Sequence, residues 1–338
     1  MKHHSLNLQD KFTSLEPVYS NNPHCNDKSR EPVKKLRLKS PRIWCVGGGK
    51  GGIGKSFISS NMGILLSMRD KKVLLVDADF GAANLHTFVE CEQRRYSFSK
   101  FLKRDATNIR DVICKTSQGN LDIISGANDV LDIADIRESA ISRLAKDLRT
   151  LDYDEILIDA GPGTSSKMLD LFLMSDLSVL ISTPEPTSIE NTYRFLKALC
   201  LRRIKQSIHN GDDRELSEVL RSVLGITGQA KAKTLIEIFE RLNEVSKGSK
   251  NYMEALIGKL DFSLIINQAR DNTDESIGLQ MKQACRDYFN IDMKYLGHIC
   301  FSEKVGDSIR KRVPLVSNSN KSEPAELIEG CLNNMLET

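Results

Sequence analysis

The chain has 338 residues, 40% of them apolar and 28% charged, a globular composition with enough length for a large core. Its 48 basic and 45 acidic residues leave a formal charge of +3, too balanced to point to wholesale coating of nucleic acid, with a local basic patch left open. The eight cysteines (Cys25, Cys45, Cys91, Cys114, Cys200, Cys285, Cys300, Cys331) form no Cys-x-x-Cys pair and no Cys/His cluster at zinc spacing, so most read as small buried hydrophobes.

Residues 1–41 are polar, carry Pro17, Pro23, Pro32 and Pro41, and show no sustained period. A disordered arm ending in the basic stretch "VKKLRLKSPR" is expected there. The arm lacks the apolar core of a signal peptide, and no stretch approaches the roughly 20 apolar residues of a membrane span, so a cytoplasmic, reducing environment is expected.

From Ile43 onward, short apolar β-branched runs alternate with helical patterns: "IWCV", "VLLVDAD", "LDIIS", "EILIDA", "LSVLIST", "SLIIN" and "YLGHI". Such runs predict an α/β domain over 42–320, with a doubly wound, mostly parallel sheet covered by helices on both faces. Ligands of such sheets bind beyond the carboxyl ends of the strands, so the residues that follow each run are the candidates for chemistry. Over 205–260 the alternation gives way to helical patterns, read as two or three inserted helices. Residues 321–338 predict a C-terminal helix with Leu327, Ile328, Cys331, Leu332, Met335 and Leu336 on one stripe. Its polar face is acidic, with Glu326, Glu329 and Glu337, which favours packing on the domain over lying on an anionic membrane.

Directly after the first strand, Gly49-Lys50-Gly51-Gly52-Ile53-Gly54-Lys55-Ser56 fits G-x-x-x-x-G-K-[ST], with a helix predicted to follow. The glycines let backbone N–H groups converge on phosphate oxygens and the helix N-terminus adds positive field. Lys55 reaches the β and γ phosphates, and the Ser56 hydroxyl serves Mg²⁺. Asp77 and Asp79 end the second run and Asp159 ends "EILIDA", on strands expected to flank the loop, where carboxylates can hold a metal's hydration shell and orient water.

One phosphate loop needs one lysine, and this one has two. The pattern K-G-G-x-G-K-[ST], with Lys50 inside the loop, resembles the deviant Walker A motif of the MinD/ParA ATPases, P-loop NTPases of the SIMIBI type. "VLLVDADFGAANLH" resembles the family's switch I, "LIDAGPGTS" its Walker B and switch II, and "LIINQAR" the strand whose asparagine reads adenine. Within the family, "VDADFGAANL" and "TPEPTSI" look most like the flagellar-number regulators FlhG and FleN. The resemblance implies ATP and Mg²⁺ as cofactors, with nucleotide held by Gly49, Lys50, Gly51, Gly52, Ile53, Gly54, Lys55, Ser56 and Phe57 and adenine met by Asn267. It implies Lys50 as a lysine acting in trans across an ATP-bound homodimer, Lys55 as the phosphate lysine, Asp79 as the water-orienting carboxylate, Asp159 as the Walker B acid, and Ser56, Asp79 and Asp159 as the metal set. Implied partners are a second copy and a protein, such as a flagellar-assembly GTPase, with a membrane surface or DNA as further contacts.

Three classes of function follow from that resemblance. The first is a regulatory ATPase in spatial or number control. The second is a DNA-binding partition ATPase, which would draw on the basic segment "RFLKALCLRRIKQ". The third is a metabolic ligase or an iron–sulfur carrier on the same fold, the carrier disfavoured by the missing cysteine pair.

Overall fold

The strands expected from the apolar runs pair side by side. In chain order they are β1 (Arg42–Gly47), β2 (Val73–Ala78), β3 (Cys114–Lys115), β4 (Leu121–Ile124), β5 (Glu155–Ala160), β6 (Leu177–Ser182), β7 (Phe262–Ala269) and β8 (Lys294–Cys300). They form one sheet of order β3-β4-β2-β5-β1-β6-β7-β8 in which every neighbour pair is parallel except β3–β4. This is a computed structural model, and it describes residues 40–337 apart from 80–82, 90, 92–97, 104–107, 127–137, 211–217, 219–220, 223–234, 246–248, 271 and 318–321. Nearly all of the expected N-terminal arm and part of the expected insertion therefore lie outside the described residues.

Alternation along each strand builds two cores. Ile43, Cys45, Leu74, Val76, Ile156, Ile158, Leu264 and Ile266 face one side, where they meet α2 (Phe98–Lys103), α3 (Glu138–Leu148), α4 (Ser166–Met174), α5 (Pro186–Asn210), α6 (Leu235–Val245), α7 (Ser249–Gly258) and α8 (Asn272–Phe289). Trp44, Val46, Val73, Leu75, Leu157, Val179 and Ile265 face the other side, covered by α1 (Lys55–Met68) and α10 (Glu323–Leu336). Because both faces are buried, the strands read as continuous apolar runs rather than alternating ones. The helix following β8, α9 (Glu303–Lys311), is mostly exposed.

Three differences from the sequence reading have local causes. The strand β3 has only two residues, too few to show a periodic signal. The start of the expected insertion, residues 205–210, is the last part of α5, which runs on without a break from its buried Leu199, Cys200 and Ile204. The strand β2 does not border β1: β5 and β6 do, and β2 lies beyond β5.

The C-terminal stripe is packed. Ile328, Cys331, Leu332 and Met335 of α10 are buried against β8 and α1, each large aliphatic contributing about 1.5–3 kcal/mol. From the same helix, Asn334 Nδ2 donates to the Leu296 carbonyl of β8 at 2.8 Å, occupying an acceptor on the sheet's outermost strand. No helix among the described residues is long and apolar enough to cross a membrane.

At the amino ends of the strands, Glu155 sits opposite Arg42 in the β1–β5 register and accepts from Arg42 Nε and Nη2 at 3.0 and 2.9 Å and from Trp44 Nε1 at 2.6 Å. Trp44 is fully buried, so its indole N–H depends on this carboxylate. Glu155→Ala is expected to lower the unfolding free energy by about 2–3 kcal/mol, because it strands two buried or half-buried donors. Urea unfolding followed by emission of Trp44, the sole tryptophan, measures it; an unchanged midpoint would contradict the assignment.

Candidate nucleotide-binding site

The site is built from the carboxyl ends of β1, β2, β5, β6 and β7. Beyond Gly47 the chain turns into α1, whose N-cap Gly54 has φ of 91°, the left-handed region that glycine adopts freely. A side chain at Gly54 would meet the Asn267 amide, and one at Gly49 the backbone carbonyl of Asn191; Gly51 and Gly52 are flanked by open space. The first turn of α1 holds no acidic residue, leaving the positive field of the helix end unneutralised. Lys55 is buried and donates from Nζ to the Lys50 carbonyl at 3.1 Å, so it spans the inside of its own loop. Burial pulls its ammonium below the usual lysine range, and the fields of Asp159 and Asp79 oppose that shift.

Parallel pairing puts Asp77 of β2 directly beside Asp159 of β5. Burial, and then the charge of Asp159, push the Asp77 carboxyl up to about 7, while N–H groups of Leu85 and Asp79 pull the other way. Those two donors reach it at 3.0 and 3.2 Å, so Asp77 holds the chain that follows β2. Burial raises Asp159 to about 6, opposed by the Ser56 hydroxyl, by Lys55 and by Ser59, whose Oγ donates to Oδ1 at 3.2 Å. Asp79 lies against Gly161, where an added Cβ would sit 3.0 Å from the Asp79 Oδ1 and 3.3 Å from its Cα, so a larger residue would press on Asp79.

Asp159 Oδ2 is buried with no hydrogen-bond partner, an acceptor that a hydrated cation would satisfy. Among the described residues no group of three or more His, Cys, Asp or Glu side chains could cage a metal. The open Asp159 oxygen suits Mg²⁺, which keeps its waters and takes one or two protein oxygens beside the phosphates of a nucleotide.

The second lysine stands apart. Lys50 Nζ donates to Glu185 Oε2 at 2.6 Å and to Thr187 Oγ1 at 3.1 Å, both from the segment after β6, and all three are solvent-accessible. The lysine holds the Glu185 carboxyl below the ordinary range, with Arg270 adding to the effect. Beside the loop lies an open cleft of about 550 Å³ bounded by Gly54, Phe57, Asn267, Phe301 and Val305. Asn267 Nδ2 donates to the Ile53 carbonyl at 2.8 Å.

The sequence-predicted residues thus fall into three places. Gly49, Gly51, Gly52, Ile53, Gly54, Lys55 and Ser56 form the loop with Asp79 and Asp159 beside it. Phe57 and Asn267 border the cleft, and Lys50 is on the outside. Sequence reasoning missed Glu185, Thr187, Ser59 and Gln268 as neighbours of the loop; only the rule that chemistry gathers after strand ends pointed toward Glu185. In the basic segment of α5, Arg194 pairs with Glu190, and Arg202 holds Asp170 through two bonds of 2.8 and 2.7 Å.

A mononucleotide-binding loop at the end of the central strand of a doubly wound sheet defines the class: a P-loop NTPase fold. The ParA family model, described as the NUBPL iron-transfer P-loop NTPase, matches residues 40–291, and the chain belongs to this family. It is 28% identical over 173 residues to the septum site-determining protein MinD of Escherichia coli K12, an alignment covering 51% of this chain and 63% of that protein. The chain thus spans less than two thirds of the length of this relative. It is 27% identical over 212 residues to an uncharacterized ATP-binding protein of Methanocaldococcus jannaschii, covering 62% and 78%. In fold it is similar to MinD of Pyrococcus horikoshii OT3, solved with Mg-ADP, at a TM-score of 0.58 and 22% identity over 87% of this chain and 96% of that one. A plasmid partition protein of Borrelia burgdorferi gives a TM-score of 0.53 at 19% identity, covering 88% and 99%.

The carboxyl pair carries a pH signature. Asp77 is held above its unfolded value, so the folded chain keeps a proton that the unfolded chain has released; this stabilisation is complete below about pH 4 and lost as pH rises through about 7. Asp77→Asn removes the titration. Its stability relative to wild type should therefore improve by roughly 1–3 kcal/mol between pH 5 and pH 8, measured by denaturant unfolding, and a pH-independent difference would remove the burial of Asp77 as the cause.

Proposed function

We propose that the chain is a MinD/ParA-type regulatory ATPase: Mg²⁺ and ATP close it into a homodimer that engages a partner, and slow hydrolysis releases the partner. The observation that carries this reading is the division of labour between two lysines in one loop. Lys55 is buried under the loop beside Asp159 and Asp79, as a phosphate lysine must be. Lys50 is on the surface, held by an exposed carboxylate and a threonine hydroxyl, and such a contact is easily exchanged for a phosphate across an interface.

In this reading Lys55 and the loop amides hold the β and γ phosphates, and Ser56 and Asp159 hold the metal's shell. Asp79 orients the attacking water, and Lys50 of one copy stabilises charge on the nucleotide of the other. Bound Mg²⁺ would supply charge neutralisation at the phosphates. Phe57 and Asn267 border the cleft that receives the base.

The finer assignment is to number or spatial control of a cell structure such as the flagellum, supported by the likeness of "VDADFGAANL" and "TPEPTSI" to FlhG and FleN. The partner would be a protein, with a flagellar-assembly GTPase as the first to test; the MinC:MinD complex of Aquifex aeolicus shows that a fold neighbour takes a protein partner. The reading carries with it a cytoplasmic location, at the inner face of the membrane when the partner is there. A partition role on DNA has less support, since Arg194 and Arg202 of α5 are engaged with carboxylates of their own chain.

Lys55→Ala is expected to weaken ATP binding by more than about 100-fold, because the buried side-chain cation facing the phosphates is gone. Equilibrium titration measures it, and wild-type affinity in that variant would end the phosphate-loop reading.

Lys50→Ala should keep much of its ATP binding while losing ATP-dependent dimerisation and hydrolysis; Asp79→Ala should bind Mg-ATP yet fail to turn over. Mixing the two inactive variants tests the trans role. In the heterodimer one composite site combines Lys50 of the Asp79→Ala copy with Asp79 of the other copy, so part of the ATPase rate should return. No recovery in heterodimers shown to form would confine Lys50 to its own subunit.

A further inference from the structure

Gln268 is one of four non-glycine residues among those described with positive φ, at 62°, a conformation that long side chains seldom adopt without an external cause. It is the extra residue of a bulge. In the β7–β8 ladder Asn267 pairs with Ile299 and Ala269 with Cys300, and Gln268 is passed over. In a regular strand the side chains of Asn267 and Gln268 would point to opposite faces, and at most one could reach the phosphate loop. The bulge brings both to it: Asn267 Nδ2 donates to the Ile53 carbonyl at 2.8 Å, and Gln268 Nε2 donates to the Gly52 carbonyl at 3.4 Å.

These are consecutive carbonyls of the loop, and each peptide unit is planar and trans. Fixing the Gly52 C=O fixes the Ile53 N–H in the opposite sense, and fixing the Ile53 C=O does the same for the Gly54 N–H. With both carbonyls engaged by side-chain amides, the Ile53 and Gly54 N–H groups are directed away from those amides and left to other acceptors, such as an anion's oxygens. Gly52, with φ of 76° and nothing near it in place of a Cβ, has no steric restraint of its own and needs one from elsewhere.

We infer that Gln268 is a positioning residue for phosphate binding, acting with Asn267 through the carbonyls of Gly52 and Ile53, and that the left-handed strain at Gln268 is retained for this purpose. The inference rests on the reading of the loop as a phosphate site.

Two substitutions separate positioning from simple structural support. Gln268→Met keeps the shape and the left-handed backbone but has no donor; Gln268→Gly has no donor and relieves the backbone strain. Both should raise the Kd for Mg-ATP by about three- to tenfold, the effect of one lost hydrogen bond. The Tm should stay within about 1 °C for Gln268→Met and stay level or rise for Gln268→Gly. Mg-pyrophosphate, used as a competitor without a base, should lose affinity by the same factor as Mg-ATP.

Wild-type affinity in both variants would overturn the inference. So would a loss confined to Mg-ATP, which would mean that Gln268 touches the base, or a parallel fall of affinity and Tm in both, which would mean structural support alone. Lys55→Ala run alongside keeps the two readings apart: if it binds both probes as wild type does, the phosphate-loop reading fails irrespective of Gln268.

Discussion

A pair of buried carboxylates on adjacent parallel strands sets the conditions for everything around it. Asp77 and Asp159 lie side by side because β2 and β5 run in register, and burial makes each costly to ionise, at about 1.4 kcal/mol per pH unit of displacement. The chain meets that cost with fixed donors. Leu85 and Asp79 N–H groups serve Asp77, while Ser56, Ser59 and Lys55 serve Asp159. One oxygen of Asp159 is left over, and that remainder is where cation chemistry can enter. The segment after β2 and the phosphate-loop helix are thereby tied to one small cluster, so a change in charge at the cluster is felt by both.

The phosphate loop between β1 and α1 is restrained at more than one point. Lys55 bridges its interior to the Lys50 carbonyl, and the end of β7 holds its outer carbonyls. Between these restraints the side chain of Lys50 is left at the rim, bound only to groups that water also reaches. A loop whose backbone is restrained and whose outermost cation is loosely held is suited to present that cation to another body without losing its own shape.

What could be read in the sequence was what is local in it. The two lysines, the glycines and Ser56 lie within eight residues, and their chemistry follows from spacing alone; Asp159 is marked by the apolar run that it ends. The doubly wound sheet was legible because burial on both faces writes continuous apolar strands. What escaped depends on contacts between distant segments. Glu185 is 135 residues from Lys50, and Gln268 is 216 from Gly52, with no pattern linking either pair before the chain is folded. The order of strands was hidden for the same reason: nothing in "VLLVDAD" says that "EILIDA" intervenes between it and the phosphate loop.

The sheet's two outer strands have a consequence for assembly. At one side β3 is two residues long and antiparallel, and at the other a side chain of α10 occupies a carbonyl of β8. Shortness at one margin and an engaged carbonyl at the other both work against a foreign strand growing the sheet, a route by which β-rich proteins precipitate or form fibres. Under the proposed ATP-dependent dimerisation, recognition between copies would then rest on side chains whose arrangement a small ligand can alter rather than on permanent backbone pairing.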